Sequence, residues 1–109
     1  MNSITAKELF EIKDGDLIIL DIRSPAQYKS GHIKNSLNIN VYGYMWQKRF
    51  DESRERLKIL PKGKTIIAVC NSGTTTKMTC PLLESMGYKA LNLEGGMAEW
   101  ANSGYPVEF

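Results

Sequence analysis

The chain has 109 residues, 42% of them hydrophobic, 9% aromatic and 24% charged, and 14 basic against 12 acidic side chains leave a net charge of +2. This is the size of one domain with a single core. It is too apolar for intrinsic disorder, too poor in cysteine (two) for a disulfide scaffold, and too weakly basic to point to nucleic acid. The N-terminus has no apolar signal-peptide stretch, and no apolar run approaches the ~18–20 residues that span a bilayer. The expectation is one domain over residues 1–109, cytoplasmic, without membrane contact, and with its thiols reduced.

Thr5 and Glu8 have capping-box spacing and Ile4 with Leu9 fits a hydrophobic staple, which predicts a helix over 6–12 that stops at Asp14-Gly15. Leu17-Ile18-Ile19-Leu20 is an uninterrupted apolar run ending in Asp21, as in a strand buried on both faces of a parallel sheet. Ser24-Pro25 supplies an N-cap and an N1 proline for a short helix over 25–29, ended by Gly31. Ser36-Leu37-Asn38-Ile39 is a weaker strand signal. From Tyr44 to Leu60 the chain has helical character, with Met45, Trp46, Phe50, Leu57 and Ile59 as inward positions. Seven basic and three acidic residues lie between Tyr44 and Lys64, either a solvated helix face or an anion-attracting rim beside a site.

Thr65-Ile66-Ile67-Ala68-Val69 is the clearest strand and runs straight into Cys70. Asn71-Ser72-Gly73 is turn chemistry. A helix over 75–86 follows, stopped by Gly87 and carrying Pro81, which removes one backbone hydrogen bond or kinks it. Leu91-Asn92-Leu93 predicts a further strand. Glu94-Gly95-Gly96 turns into a last helix over 97–102, which ends at Gly104-Tyr105-Pro106. Alternating strands and helices without linker or repeat predict an α/β fold, with a central, mainly parallel sheet of four to five strands and helices on both faces.

Ligands of such sheets bind where strands end and helices begin, and Cys70 occupies such a point. The helix N-terminus carries unpaired N–H groups and partial positive charge, and a tight glycine turn ahead of it aims further N–H groups inward. A thiolate there is stabilised relative to the thiol. The strand–Cys–Asn–Ser–Gly–Thr–Thr–Thr–helix order therefore reads as a cysteine nucleophile in an anion-binding cradle. The competing reading is a small buried hydrophobe at a strand end. Cys80, mid-helix beside Pro81, reads as packing, with a resolving thiol for Cys70 as the alternative.

Leu20-Asp21-Ile22-Arg23, Tyr28-Lys29-Ser30-Gly31-His32-Ile33, the Cys70 loop, Leu93-Glu94-Gly95-Gly96-Met97-Ala98-Glu99-Trp100 and Gly104-Tyr105-Pro106-Val107 together resemble the rhodanese family in order and spacing, from Ile4 to Val107. The resemblance implies a rhodanese-like fold and transfer of sulfane sulfur through a persulfide on Cys70. In the family the loop has the form Cys-x-x-Gly-x-Ser/Thr, which Cys70, Gly73 and Thr75 match. Backbone N–H groups of Asn71, Ser72, Gly73, Thr74, Thr75 and Thr76 would then hold the extra sulfur, with the hydroxyls of Ser72, Thr74, Thr75 and Thr76 as further donors. Thiosulfate-using members often place Arg or Lys just after the cysteine, whereas this chain has Asn71 and Ser72, and its nearest following cation is Lys77. A polysulfide or protein persulfide is thus the expected donor, with thiosulfate a poor one.

Asp21, Arg23, His32 and Glu94 are expected to support the site: Arg23 by pairing with Glu94 or positioning the loop, His32 by hydrogen bonding rather than as a base. Trp46, Trp100, Met45 and Met97 either pack in the core or line an acceptor pocket. No metal cluster, nucleotide loop or cofactor motif is present, so no cofactor is expected. The rival enzyme is a cysteine phosphatase or arsenate reductase, which needs Cys-x5-Arg; Thr76 stands at that position. The non-enzymatic rival is a sulfur-carrier or protein-interaction module, whose basic stretch from Lys48 to Lys64 would dock an acidic protein.

Overall fold

The computed structural model describes residues 2–12 and 15–109. Helix α1 (Ala6–Glu11) starts as its sequence dictates: the Thr5 hydroxyl accepts from the Glu8 N–H at 3.1 Å, and the Glu8 carboxylate accepts from the Thr5 N–H at 2.9 Å. Ile4 and Leu9 share one hydrophobic cluster, as the staple requires. The last turn closes at Ile12; the expected stop at Asp14 lies outside the described residues. Ser24 caps α2 (Pro25–Lys29), accepting from the Gln27 N–H.

The sheet comprises β1 (Ser3–Ile4), β2 (Leu17–Asp21), β3 (Leu37–Asn38), β4 (Thr65–Val69) and β5 (Lys89–Leu93), in the order β1-β5-β4-β2-β3, and every pairing is parallel. The central strand β4 runs in register with β2 from Leu17↔Thr65 to Asp21↔Val69, and with β5 from Thr65↔Lys89 to Ala68↔Asn92. Successive side chains of β4 point to opposite faces. Ile66, Ala68 and Cys70 join the cluster under α3 (Tyr42–Trp46), α4 (Phe50–Leu57) and α5 (Thr74–Ser85). Ile67 and Val69 join the cluster under α1 and α6 (Gly96–Asn102). The uninterrupted apolar runs of β2 and β4 are the consequence of cover on both faces.

Three expectations need correction. The edge strand β1 was not predicted; two residues are too short to show a period. The helix expected over 44–60 is two helices, because Lys48 adopts φ +57 between them and a side chain in that region does not continue a helix. The break turns the predicted inward set: Met45 and Leu57 are buried, while Trp46, Phe50 and Ile59 are 52%, 38% and 70% exposed. Pro81 remains inside α5, leaving the Lys77 carbonyl without its helical N–H. Among the described residues no helix is long and apolar enough to cross a membrane.

All three acidic residues of the basic stretch pair within it, which leaves four of its seven cations over. Arg49, Arg54 and Lys58 pair with Glu52, Asp51 and Glu55, each three residues apart on the surface of the α4 segment. Lys62 lies over the Tyr88 ring at 3.7 Å from its centroid and donates to the Met86 carbonyl. A solvated, internally paired face accounts for most of this charge. Near α3, the guanidinium groups of Arg49 and Arg56 lie 4.8 and 5.1 Å from the Tyr44 ring centroid.

Candidate active site

Cys70 follows the last residue of β4, and α5 begins four residues later. The loop between them is shaped from behind. The Met97 N–H donates to the Cys70 carbonyl at 2.8 Å and the Ala98 N–H to the Asn71 carbonyl at 2.9 Å, so the first turn of α6 consumes both oxygens. With those carbonyls turned away, the loop is left with N–H groups to present. The contact needs a bare backbone at Gly96, which has φ +55: a Cβ there would meet the Cys70 oxygen at 2.4 Å. Gly73, at φ +88, turns the loop into α5, and its N–H donates to the Cys70 Sγ at 3.1 Å. The N–H groups of the first α5 turn, at Thr74, Thr75 and Thr76, have no helical carbonyl behind them.

The four hydroxyls of the loop divide. Only that of Thr76 reaches the sulfur, with Oγ1 3.5 Å from Sγ. Thr75 is buried and accepts a hydrogen bond from the Trp46 Nε1–H at 2.9 Å, which ties α3 to the loop. Ser72 and Thr74 are exposed and bond each other at 3.2 Å. Asn71 contributes its backbone through the bond to α6. Lys77 is exposed and lines a cavity of about 400 Å³ with Ser72, Gly73, Asn92, Glu94 and Gly95.

Asp21 and Arg23 are both buried and pair with each other. The Arg23 Nε donates to both carboxylate oxygens at 2.9 and 3.1 Å, and a terminal nitrogen reaches Oδ2 at 2.7 Å and the Gly31 carbonyl at 2.8 Å. The Arg23 N–H also donates to Asp21. The Ile22 N–H between them donates to the Val69 carbonyl at 3.0 Å, placing this clamp beside the strand end that carries Cys70. The expected alternative, Arg23 with Glu94, is not formed: Glu94 accepts from the Ser3 hydroxyl at 2.7 Å and holds β1 to the end of β5.

His32 is occupied by structure. Its ring stacks on Tyr28 at 3.8 Å, its Nδ1–H donates to the Tyr28 carbonyl at 2.8 Å, and its backbone bridges Glu108. Cys80 is buried in the cluster under α5, and burial, with Glu84 and Cys70 nearby adding to it, pushes its thiol up to about 12. A group so reluctant to ionise is suited to packing. Met45, Met97 and Trp100 are core residues as well.

Two residues touch this site in ways their sequence positions did not specify. Trp46, expected either to pack inward or to line an acceptor pocket, is half exposed and bonded to Thr75 of the loop. Asn92 passed for an ordinary strand residue, yet its side chain meets Thr76. A polar residue between Leu91 and Leu93, in a strand covered on both faces, needs a buried partner, and that need was the available signal.

The model of the family described as the Rhodanese-like domain matches residues 5–103. A sulfurtransferase from Allochromatium vinosum is 31% identical over 93 residues, covering 84% of this chain and 78% of that protein. Among solved structures, a rhodanese-related protein from Thermoplasma volcanium superposes with a TM-score of 0.82 at 33% identity, over 99% of this chain and 98% of the other. A rhodanese-like domain protein from Staphylococcus aureus gives 0.78 at 27% identity over the full length of both chains.

Proposed function

The chain belongs to the rhodanese-like domain family, and from that premise we propose that it is a sulfurtransferase that carries sulfane sulfur as a persulfide on Cys70. The Cys70 thiolate attacks the terminal sulfane sulfur of the donor. A bond forms between Sγ and that sulfur as the donor's S–S bond breaks, and the remainder leaves with the electron pair, as sulfite from thiosulfate or a shortened chain from polysulfide. A thiophilic acceptor such as cyanide then attacks the outer sulfur and restores the thiolate. No net oxidant is needed.

The observation that carries this reading is the Gly73 N–H, 3.1 Å from Sγ, in a loop whose neighbouring carbonyls are bound to α6. Such donors stabilise the thiolate and can follow the charge onto an added sulfur. Asn71, Ser72, Gly73, Thr74, Thr75 and Thr76 make up the cradle in this account, while Asp21, Arg23, His32 and Glu94 support it. Cys70 is only 1% exposed, so a protruding one-atom sulfane end suits the site better than a bulky electrophile. The loop brings no cation onto the sulfur, which favours a polysulfide or protein persulfide over dianionic thiosulfate. A protein acceptor would meet the Trp46 side of the loop, where Arg49 and Arg56 flank Tyr44, and an acidic partner suits that face.

The test is steady-state transfer to cyanide from thiosulfate, inorganic polysulfide and cysteine persulfide. The account expects turnover from the last two to exceed that from thiosulfate, and Cys70→Ser to abolish all three. Turnover that survives Cys70→Ser removes the assignment.

A further inference from the structure

The Thr76 hydroxyl owns one proton and has three neighbours that want it. Oγ1 lies 3.2 Å from the Gly73 carbonyl and 3.5 Å from the Cys70 Sγ, and it donates to the Asn92 side-chain oxygen. Thr76 and Asn92 are both buried, on α5 and β5 respectively, so water does not replace a missing bond cheaply. While the Asn92 oxygen faces Thr76, the hydroxyl proton goes to an oxygen. The sulfur must then act as the donor toward Oγ1, which requires a thiol. If Cys70 ionises in that arrangement and Thr76 turns its proton to the thiolate, two oxygen lone pairs are left facing each other. Turning the Asn92 amide by half a rotation removes the conflict at position 92: its NH2 group donates to Oγ1, and the Thr76 proton is left to the Gly73 carbonyl and the sulfur, of which an ionised sulfur is the stronger acceptor.

We infer that Asn92 is a positioning residue for Cys70: through Thr76 it supplies the ionised sulfur with a side-chain hydrogen bond, by presenting its amide NH2 instead of its oxygen. The relay adds to the Gly73 N–H and involves no charged side chain. The proton lost by Cys70 leaves to solvent. Of the ionisable groups around this arrangement, Cys80 on α5 stays a thiol, Lys77 and Glu94 line the cavity that Asn92 and Gly73 share, and Asp21 and Arg23 on the β2 side are paired with each other. The inference rests on Cys70 being the reacting sulfur of the proposed function, and its test reads ionisation without sulfur transfer.

The test measures the rate of Cys70 alkylation by iodoacetamide against pH, with the site identified by peptide mass and folding checked by thermal melting. Asn92→Asp keeps the shape and, as a carboxylate, can only accept. The relay predicts that the rising limb moves to higher pH and that the rate near neutrality falls about tenfold, the effect of one hydrogen bond to a charged group. Thr76→Val produces a similar shift and Thr76→Ser restores the original profile. Charge alone at position 92 also disfavours a thiolate, so the deciding comparison is Asn92→Asp in the Thr76→Val background, where the relay predicts less than about a twofold further change. An unshifted Asn92→Asp profile, or an equal shift in both backgrounds, overturns the relay. Should Asn92→Asp fail to fold, Thr76→Val with the profile of Thr76→Ser overturns it equally. A relay-dependent profile in a protein that takes up no sulfur would leave this inference standing and remove the proposed function.

Discussion

Replacing Gly96 by alanine strikes the contact that turns the Cys70 loop. The new Cβ would lie 2.4 Å from the Cys70 oxygen, and 2.8 and 2.9 Å from the carbonyl carbon and oxygen of Asn71. All three are backbone atoms, so no side chain can swing away, and α6 must withdraw from the loop. Withdrawal breaks the bonds from the Met97 and Ala98 N–H groups, at about 1 kcal/mol each. Holding alanine at φ +55 adds about 1 kcal/mol. The sum is about 3 kcal/mol. Gly104→Ala isolates the conformational part, because Gly104 has φ +77 with no atom within 4 Å of its Cβ position; about 1 kcal/mol is expected there. Urea unfolding with a common slope measures both variants. Alkylation of Cys70 should slow in Gly96→Ala and stay unchanged in Gly104→Ala. Equal destabilisation of the two variants would refute the view that α6 shapes the loop by close approach.

Arg23→Met leaves the Asp21 carboxylate buried and unpaired, and the Gly31 carbonyl without its donor; a loss of about 3–5 kcal/mol in chemical denaturation is expected, larger than for any exposed arginine of α4. Cys80 makes stability fall in alkali. The unfolded chain gives up this proton near the ordinary value of 9.0, the folded chain holds it to about 12, and between them the unfolded state binds fewer protons. Relative to Cys80→Ala, the native protein should therefore lose up to about 1.4 kcal/mol per pH unit across that window, measured as unfolding free energy against pH. His32→Gln should keep most sulfur-transfer activity, since the ring nitrogen and face are committed to Tyr28; a loss of several orders of magnitude would make His32 part of the chemistry.

Local rules were most legible where chemistry is strictly local. Ser24-Pro25 set the start of α2, Thr5 and Glu8 set that of α1, and the β-branched run of β4 led to Cys70. Legibility failed where a distant partner decides. Lys48 at φ +57 divides a stretch whose composition is helical throughout, and the division leaves Trp46 exposed and bonded to Thr75. Arg23 was expected to pair with Glu94 or to position the loop, and it pairs instead with Asp21 two residues before it, while Glu94 is held by Ser3 across the β1–β5 edge. The strand β1 exists only as a partner of β5 and carries no pattern of its own. Asn92 is the instructive miss: its polarity in a covered strand pointed to a buried partner, but which of four hydroxyls it would meet depended on how α5 packs over β5.

Intact-mass analysis after brief exposure to inorganic polysulfide and removal of the excess reads the persulfide itself. A gain of one sulfur atom is expected, mapped to Cys70, reversed by cyanide, retained in Cys80→Ser and absent in Cys70→Ser. A protein that gains no sulfur, or gains it equally in Cys70→Ser, does not carry sulfur on Cys70.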